Sequence, residues 1–224
     1  MPITINPDAP ELPAGLADLA ATVDVPTLGH FLEEGFCAPA ISRQTGAGRL
    51  VGRAVTVRIT ATDSTLVHKA TGLLKPGDVL VIDTGGDEIH APVGGVVANA
   101  VAAAGATGVV IDGVCTDRPM LVQTGLTVYA RGTSVLTTKL HGIDAGGINV
   151  PITCGGVSVH PGDIVVGDEN GVLIANPRDV QAVLDKARGS DESEPALLEK
   201  LKSGQKLSEL SGADKLLDEL GYKV

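Results

Sequence analysis

Between Gly94 and Arg118 the chain reads GGVVANAVAAAGATGVVIDGVCTDR, and no other segment limits the fold as tightly. A glycine pair, an Ala-rich helix over Val96–Ala104, a break at Gly105 and Gly108, and the wholly apolar run Val109-Val110-Ile111 follow one another without a gap. Such a run belongs to a parallel strand covered on both faces, so the pattern predicts an α/β domain. Asp112 and Asp117 then fall at the carboxyl end of that strand. Ligands gather at this edge in open α/β sheets, because the loops there vary while the strands hold them. Gly94 and Gly95 can present free helix N–H groups to a carboxylate or phosphate. The plainer reading stands beside it: glycine turns between strand and helix also serve packing, and Asp112-Gly113 is also an ordinary turn pair.

Aromatic residues make up 2% of the chain and Trp is absent, so the core must be built from closely approached layers of Val, Ile, Leu and Ala. The same scarcity removes stacking surface for bases. With a formal net charge of −10, it argues against a nucleic-acid partner. The 224 residues carry no long polar linker, which favours one domain. No stretch of 18 uninterrupted apolar residues occurs and MPITINPDAPELPAGL lacks a basic start, so a cytoplasmic protein without membrane contact is expected. Cys37, Cys115 and Cys154 are odd in number and widely spaced, which predicts three reduced thiols.

Residues 10–35 read as mainly helical with an interruption at Pro26, and a strand is expected over Leu50–Thr60. Thr62, Asp63 and Ser64 offer caps for a helix over Thr65–Leu74, followed by a strand over Val79–Ile82. Pro76-Gly77-Asp78 and Pro161-Gly162-Asp163 each feed a short apolar run, an internal echo that recurring turn chemistry explains. Beyond Asp117, runs near Leu126–Ala130, Val150–Thr153, Val157–Val159, Asp163–Val166 and Val172–Ala175 read as an antiparallel succession. Asn176 and Pro177 then start a helix expected to end near Gly189. A helical extension over 191–224, bearing Leu197, Leu201, Leu210 and Leu217, follows the 1–190 domain and needs a surface to pack on, such as a neighbouring subunit.

Taken in order and spacing, Gly52-Arg-Ala-Val-Thr-Val57, Lys75 to Asp83, Gly94 to Ala104, Gly108 to Gly113 with Asp117, and Val150 to Asp163 through Val172 resemble one family. It contains the regulator of ribonuclease E activity A (RraA-like) and the class II 4-hydroxy-4-methyl-2-oxoglutarate aldolases, and the likeness runs from about Thr22 to Leu207. The resemblance implies a swivelling-type β/β/α domain with a central mixed sheet and C-terminal helices. It also implies a homotrimer or homohexamer with sites between subunits. For the enzymes it implies Mg²⁺ or Mn²⁺, weakly bound, acting in retro-aldol cleavage or decarboxylation of a small 2-oxo acid.

The aldolase loop after the buried strand reads Asp-Gly-x-x-Arg-Asp, in which the Arg clamps the substrate carboxylate and the last Asp holds the metal. Here Asp117 matches that Asp, while Thr116 stands at the Arg position. Gly95 replaces an acidic or amide residue, and Ser64 stands where Asn is common. A lost bidentate contact is worth about 1.5–3 kcal/mol per hydrogen bond, which weighs against an unmodified pyruvate site. Arg118 either restores the charge or is a surface cation. Glu194, matched to a carboxylate given by an adjacent subunit, is either a proton carrier or a solvated helix residue. The substrate-binding set is thus Ser64, Gly94, Gly95, Val96, Thr116 and Arg118, with Asp117 as metal ligand. His68, His90 and Cys115 lie nearby without paired-ligand or nucleophile spacing, and His141 and His160 read as structural or exposed. Three functions remain: a metal-dependent carbon–carbon lyase, the same enzyme with changed specificity, or a non-catalytic regulator docking on a protein through its acidic surface.

Overall fold

The computed structural model describes residues 2–222. Strand β1 (Thr4–Ile5) precedes two short helices, α1 (Leu16–Ala20) and α2 (Val25–Leu28). Next come β2 (Ser42–Thr45), β3 (Leu50–Arg58), α3 (Thr65–Thr71), β4 (Asp78–Asp83), α4 (Gly95–Ala103) and β5 (Gly108–Asp112). The chain continues through β6 (Val114–Cys115), α5 (Arg118–Thr124), β7 (Thr127–Ala130), β8 (Gly132–Thr133), β9 (Gly147–Ile148), β10 (Ile152–Cys154) and β11 (Val157–Val159). It closes with β12 (Ile164–Gly167), β13 (Val172–Ala175), α6 (Pro177–Lys202), α7 (Leu207–Ser211) and α8 (Ala213–Glu219).

The central sheet is mixed, as expected. β3, β4, β5 and β7 lie side by side and parallel, and β2 closes the far edge antiparallel to β7. On its other side β3 is shared: β12 pairs antiparallel with Leu50 to Arg53 and β9 with Val57 and Arg58. Because β3 to β7 are apolar on both faces, alternate residues feed two cores. Val55, Val57, Leu80, Ile82, Val109 and Ile111 face α3, α4 and α5. Ala54, Val79, Val81, Val110 and Tyr129 face the β10–β11 hairpin and β13. A third core, around Leu28, Val166, Leu173 and Leu184, joins α1, α2 and α6 to the β12–β13 hairpin.

Three expectations change. β7 is a parallel strand rather than part of an antiparallel succession, because α5, unrecognised in the sequence, serves as the crossover from β5. The helix that starts at Asn176 does not end near Gly189 but runs to Lys202, through Gly189 and Pro195. Asp191 fixes that continuation: its carboxylate accepts the Asp24 N–H and the Thr27 hydroxyl, tying α6 to the start of α2. The third change concerns residues 10–35: only the short α1 and α2 are helical there, and Pro26 lies in the first turn of α2 rather than interrupting a longer helix. At α3 the capping falls among the expected residues, with Ser64 at the N-cap position and Asp63 accepting the Thr65 N–H. The three cysteines are free and buried. Among the described residues no helix is long and apolar enough to cross a membrane.

Residues 132–143 form a strap along the carboxyl ends of the parallel strands. Ser134 N–H donates to the Cys115 carbonyl, the Leu136 carbonyl accepts from Ala91, and Lys139 N–H donates to Thr62 while its carbonyl accepts from Ser64. The strap ends on Asp63, whose two carboxylate oxygens accept the N–H groups of His141 and Ile143. Burial alone would raise the Asp63 carboxyl, but these bonds and those from Thr65 outweigh it and hold the pKa at about 2.

Candidate functional site at the carboxyl edge

The loops that follow β3, β4 and β5 bring Ser64, the Gly94–Val96 turn and the Thr116–Arg118 turn to one edge of the sheet. Asp117 sits there in the left-handed region, with φ of 54°. Among the described residues it shares a positive φ with only one other non-glycine, Asn149. Such a backbone costs on the order of 1 kcal/mol and persists where surrounding bonds impose it. Here they do: Thr116 N–H donates to the Val93 carbonyl, and the Asp117 carbonyl accepts from Met120 and Leu121 as α5 begins.

The Asp117 side chain reaches back to the start of α4. Its Oδ2 accepts the Gly95 N–H at 3.1 Å, so the carboxylate lies at the positive end of one helix while its residue caps another. A Cβ at Gly94 would stand 2.6 Å from Asp117 Oδ2 and 2.8 Å from Thr116 Cγ2, so only glycine permits this approach. At Gly95 a Cβ would fall 2.6 Å from the Met120 sulfur. The thioether thus occupies the volume that a side chain at position 95 would need, a partner that sequence reading missed and that no local signal marks.

Asp117, Arg118 and Met120 are exposed, and Thr116 is half-buried. Arg118 has no carboxylate within ion-pair distance among the described residues, leaving its guanidinium free to meet an anion. The Gly95 N–H is committed to Asp117, so at this helix start Val96 and its successor carry the uncommitted N–H groups. Asp112 does a different job. It takes Arg131 Nε at 2.6 Å on one oxygen and the Gly155 N–H at 2.9 Å on the other, locking the loop to the far side of the sheet.

The other candidates separate from this edge to varying degrees. Ser64 is 3% exposed and lies beneath the strap, its hydroxyl directed at the Lys139 carbonyl. Cys115 is fully buried, and burial pushes its thiol up, which makes it a packed thiol rather than a nucleophile. His90 is held by Asp87 at 3.0 Å, and His68 and His141 are exposed. Glu194 is exposed on α6, beside Thr22, Asp24 and Asp191, and no bond within the chain links it to Asp117. A cavity of about 780 Å³ lies elsewhere, between the end of α2 and the β10–β11 hairpin. Geometry at Asp117 outweighs that volume in choosing the candidate site, since an exposed edge need not be concave to hold a ligand.

An exposed, backbone-fixed carboxylate with one free oxygen suits a hard divalent cation that keeps most of its waters. Among the described residues no three His, Cys, Asp or Glu side chains cluster to cage a metal, so a cation here would be held chiefly by Asp117 and water.

Fold and site together define an α/β domain whose parallel strands carry an acid-bearing loop edge at their carboxyl ends. The chain belongs to the RraA-like family, described as Aldolase/RraA, which matches residues 20–174 and so stops before α6. A relative from Halalkalibacterium halodurans named "Putative 4-hydroxy-4-methyl-2-oxoglutarate aldolase" is 39% identical over 140 residues, 62% of this chain and 66%, just under two thirds, of that protein. Among solved structures, an uncharacterized protein from Pseudomonas syringae pv. tomato shares the fold at a TM-score of 0.75 and 22% identity, over 92% of this chain and 97% of that one. The RNA-processing inhibitor RraA from Thermus thermophilis aligns at a TM-score of 0.62 and 28% identity, over 68% of this chain and 92% of that one. At the level of the family, the names of the relatives support an aldolase-like lyase.

Proposed function

We propose that the chain is a divalent-metal-dependent carbon–carbon lyase, cleaving or decarboxylating a small 2-oxo acid at the edge around Asp117. The observation that carries this reading is the Asp117 carboxylate: exposed, held in a left-handed turn, and anchored by the Gly95 N–H with its other oxygen free. Mg²⁺ or Mn²⁺ bound there supplies the electron withdrawal that breaking a bond beside a keto group requires. Arg118 and the Thr116 hydroxyl bind the carboxylate of the substrate, aided by the uncommitted N–H groups at the start of α4. The electron pair of the broken bond stays with the 2-oxo fragment as its enolate, and Glu194 of a neighbouring subunit delivers to it a proton taken from the 4-hydroxyl in retro-aldol cleavage or from water in decarboxylation.

The reading includes a homotrimer or homohexamer that closes the open side of the site. Its support is apolar exposure along this edge: Val96 is 76% and Val135 fully exposed, and Met120, Val122, Leu136 and Leu140 are also exposed. Altered specificity follows from Thr116 and Gly95, which remove a fixed charge and a side chain from the pocket. The test is release of pyruvate or CO₂ from oxaloacetate and from branched 4-hydroxy-2-oxo acids with Mg²⁺ or Mn²⁺. Turnover lost on both EDTA and Asp117→Ala supports the lyase; turnover indifferent to both sinks it.

The absent Arg at position 116 favours a second reading, a non-catalytic regulator that docks on another protein through its acidic surface. It expects no turnover on any of these substrates and recovery of one stoichiometric protein partner by affinity capture.

A further inference from the structure

The two Pro-Gly-Asp turns fold alike to within 0.1 Å in their bonds, but only one carboxylate is matched by a guanidinium. In the first, Asp78 N–H donates to the Lys75 carbonyl at 3.1 Å and Asp78 Oδ2 accepts the Lys75 N–H at 2.7 Å, with Gly77 at φ 86°. In the second, Asp163 N–H donates to the His160 carbonyl at 3.1 Å and Asp163 Oδ2 accepts the His160 N–H at 2.7 Å, with Gly162 at φ 87°. Both carboxylates are buried, at 2% and 6% exposure. Arg53 completes Asp78 with a two-pronged contact, Nε to Oδ1 at 2.8 Å and Nη2 to Oδ2 at 3.0 Å. Asp163 has no such partner: Oδ1 accepts no hydrogen bond among the described residues, and the exposed His160 ring stands 3.8 Å from Oδ2, beyond bonding distance.

What stands before Asp163 is the 780 Å³ cavity, which it lines together with Glu33, Glu34, Asp179, Phe31 and Phe36. That volume lies within the range of small-molecule sites. Four carboxylates against the single His160 give it an acidic lining, and the two phenylalanines among its lining residues offer aromatic surface to a planar cation. Burial raises the Asp163 carboxyl, a cost that an approaching cation would relieve. We propose that this cavity is a second ligand site, distinct from the Asp117 edge, binding a small guanidinium-bearing molecule whose fork meets Asp163 as Arg53 meets Asp78.

Isothermal titration of the full chain with agmatine tests it, because agmatine carries a guanidinium and an amine without a carboxylate. Saturable one-to-one binding is expected, weakened about tenfold or more by Asp163→Asn, whose amide oxygen still accepts the His160 N–H. Glu34→Lys, an exposed change that leaves packing intact, is expected to weaken binding about threefold or more and decides the matter if the first variant does not fold. Absence of saturable binding, or parental affinity in the folded variants, overturns the site. Equal affinity for 1,4-diaminobutane overturns the guanidinium assignment. Lyase assays play no part, so failure here leaves the Asp117 reading untouched.

Discussion

Asp112 ends β5 and Asp117 follows β6 a few residues later, yet their surroundings give them opposite roles. Both oxygens of Asp112 are committed, to Arg131 and to the Gly155 N–H. Asp117 spends one oxygen on Gly95 and turns the other outward, at the cost of a left-handed backbone. A carboxylate that is fully bonded holds a loop; one that is half bonded and strained is available to a ligand.

The largest effect expected from breaking this contrast is on chemistry. Asp117→Asn keeps a residue that tolerates the left-handed turn and an oxygen for the Gly95 N–H, so thermal stability should hold. Metal-dependent turnover should nevertheless fall about a hundredfold or more in steady-state assays. Asp112→Ala should do the reverse, leaving the half-buried Arg131 only the exposed Glu88 at 3.5 Å and freeing the Gly155 N–H, at a cost of about 2 kcal/mol in denaturant unfolding.

Acid sharpens the comparison on the neighbouring loop. The pKa of Asp63 is lowered from 3.8 to about 2 on folding, so its contribution is fully present above the unfolded value and lost as pH falls toward 2. That loss should be about 1–2 kcal/mol, absent in Asp63→Asn, in unfolding measured across pH 5 to 2. The smallest effect concerns Gly95→Ala, whose methyl must displace the Met120 side chain. A cost of about 1 kcal/mol is expected, recovered when Met120→Ala is added, and a double-mutant cycle reads the coupling directly.

The sequence showed the parts of this edge that are local. The α4 helix, the β5 run and the place of Asp117 after it follow from periodicity and glycine breaks within a few residues of one another. The α5 crossover stayed hidden because it is seven residues long and starts from a left-handed cap instead of a Ser or Thr. The strap was equally invisible: RGTSVLTTKLHG has no period, and its bonds go to loops distant in sequence. Met120 beside Gly95 and Asp191 beside α2 are tertiary pairings of the same kind, which only folded coordinates reveal.

The strap that runs from Ser134 to Ile143 bears on how this scaffold can change. Open α/β sheets usually gain new substrates by swapping one connecting loop at a time, leaving its neighbours untouched. Here a single segment is stitched in turn to Cys115, Ala91 and Asp63, so lengthening any one loop misaligns its bonds to the other two. Piecemeal grafting is therefore closed at this rim, and variation is confined to side chains that the stitching leaves free, of which Thr116 and Arg118 flank the Asp117 carboxylate.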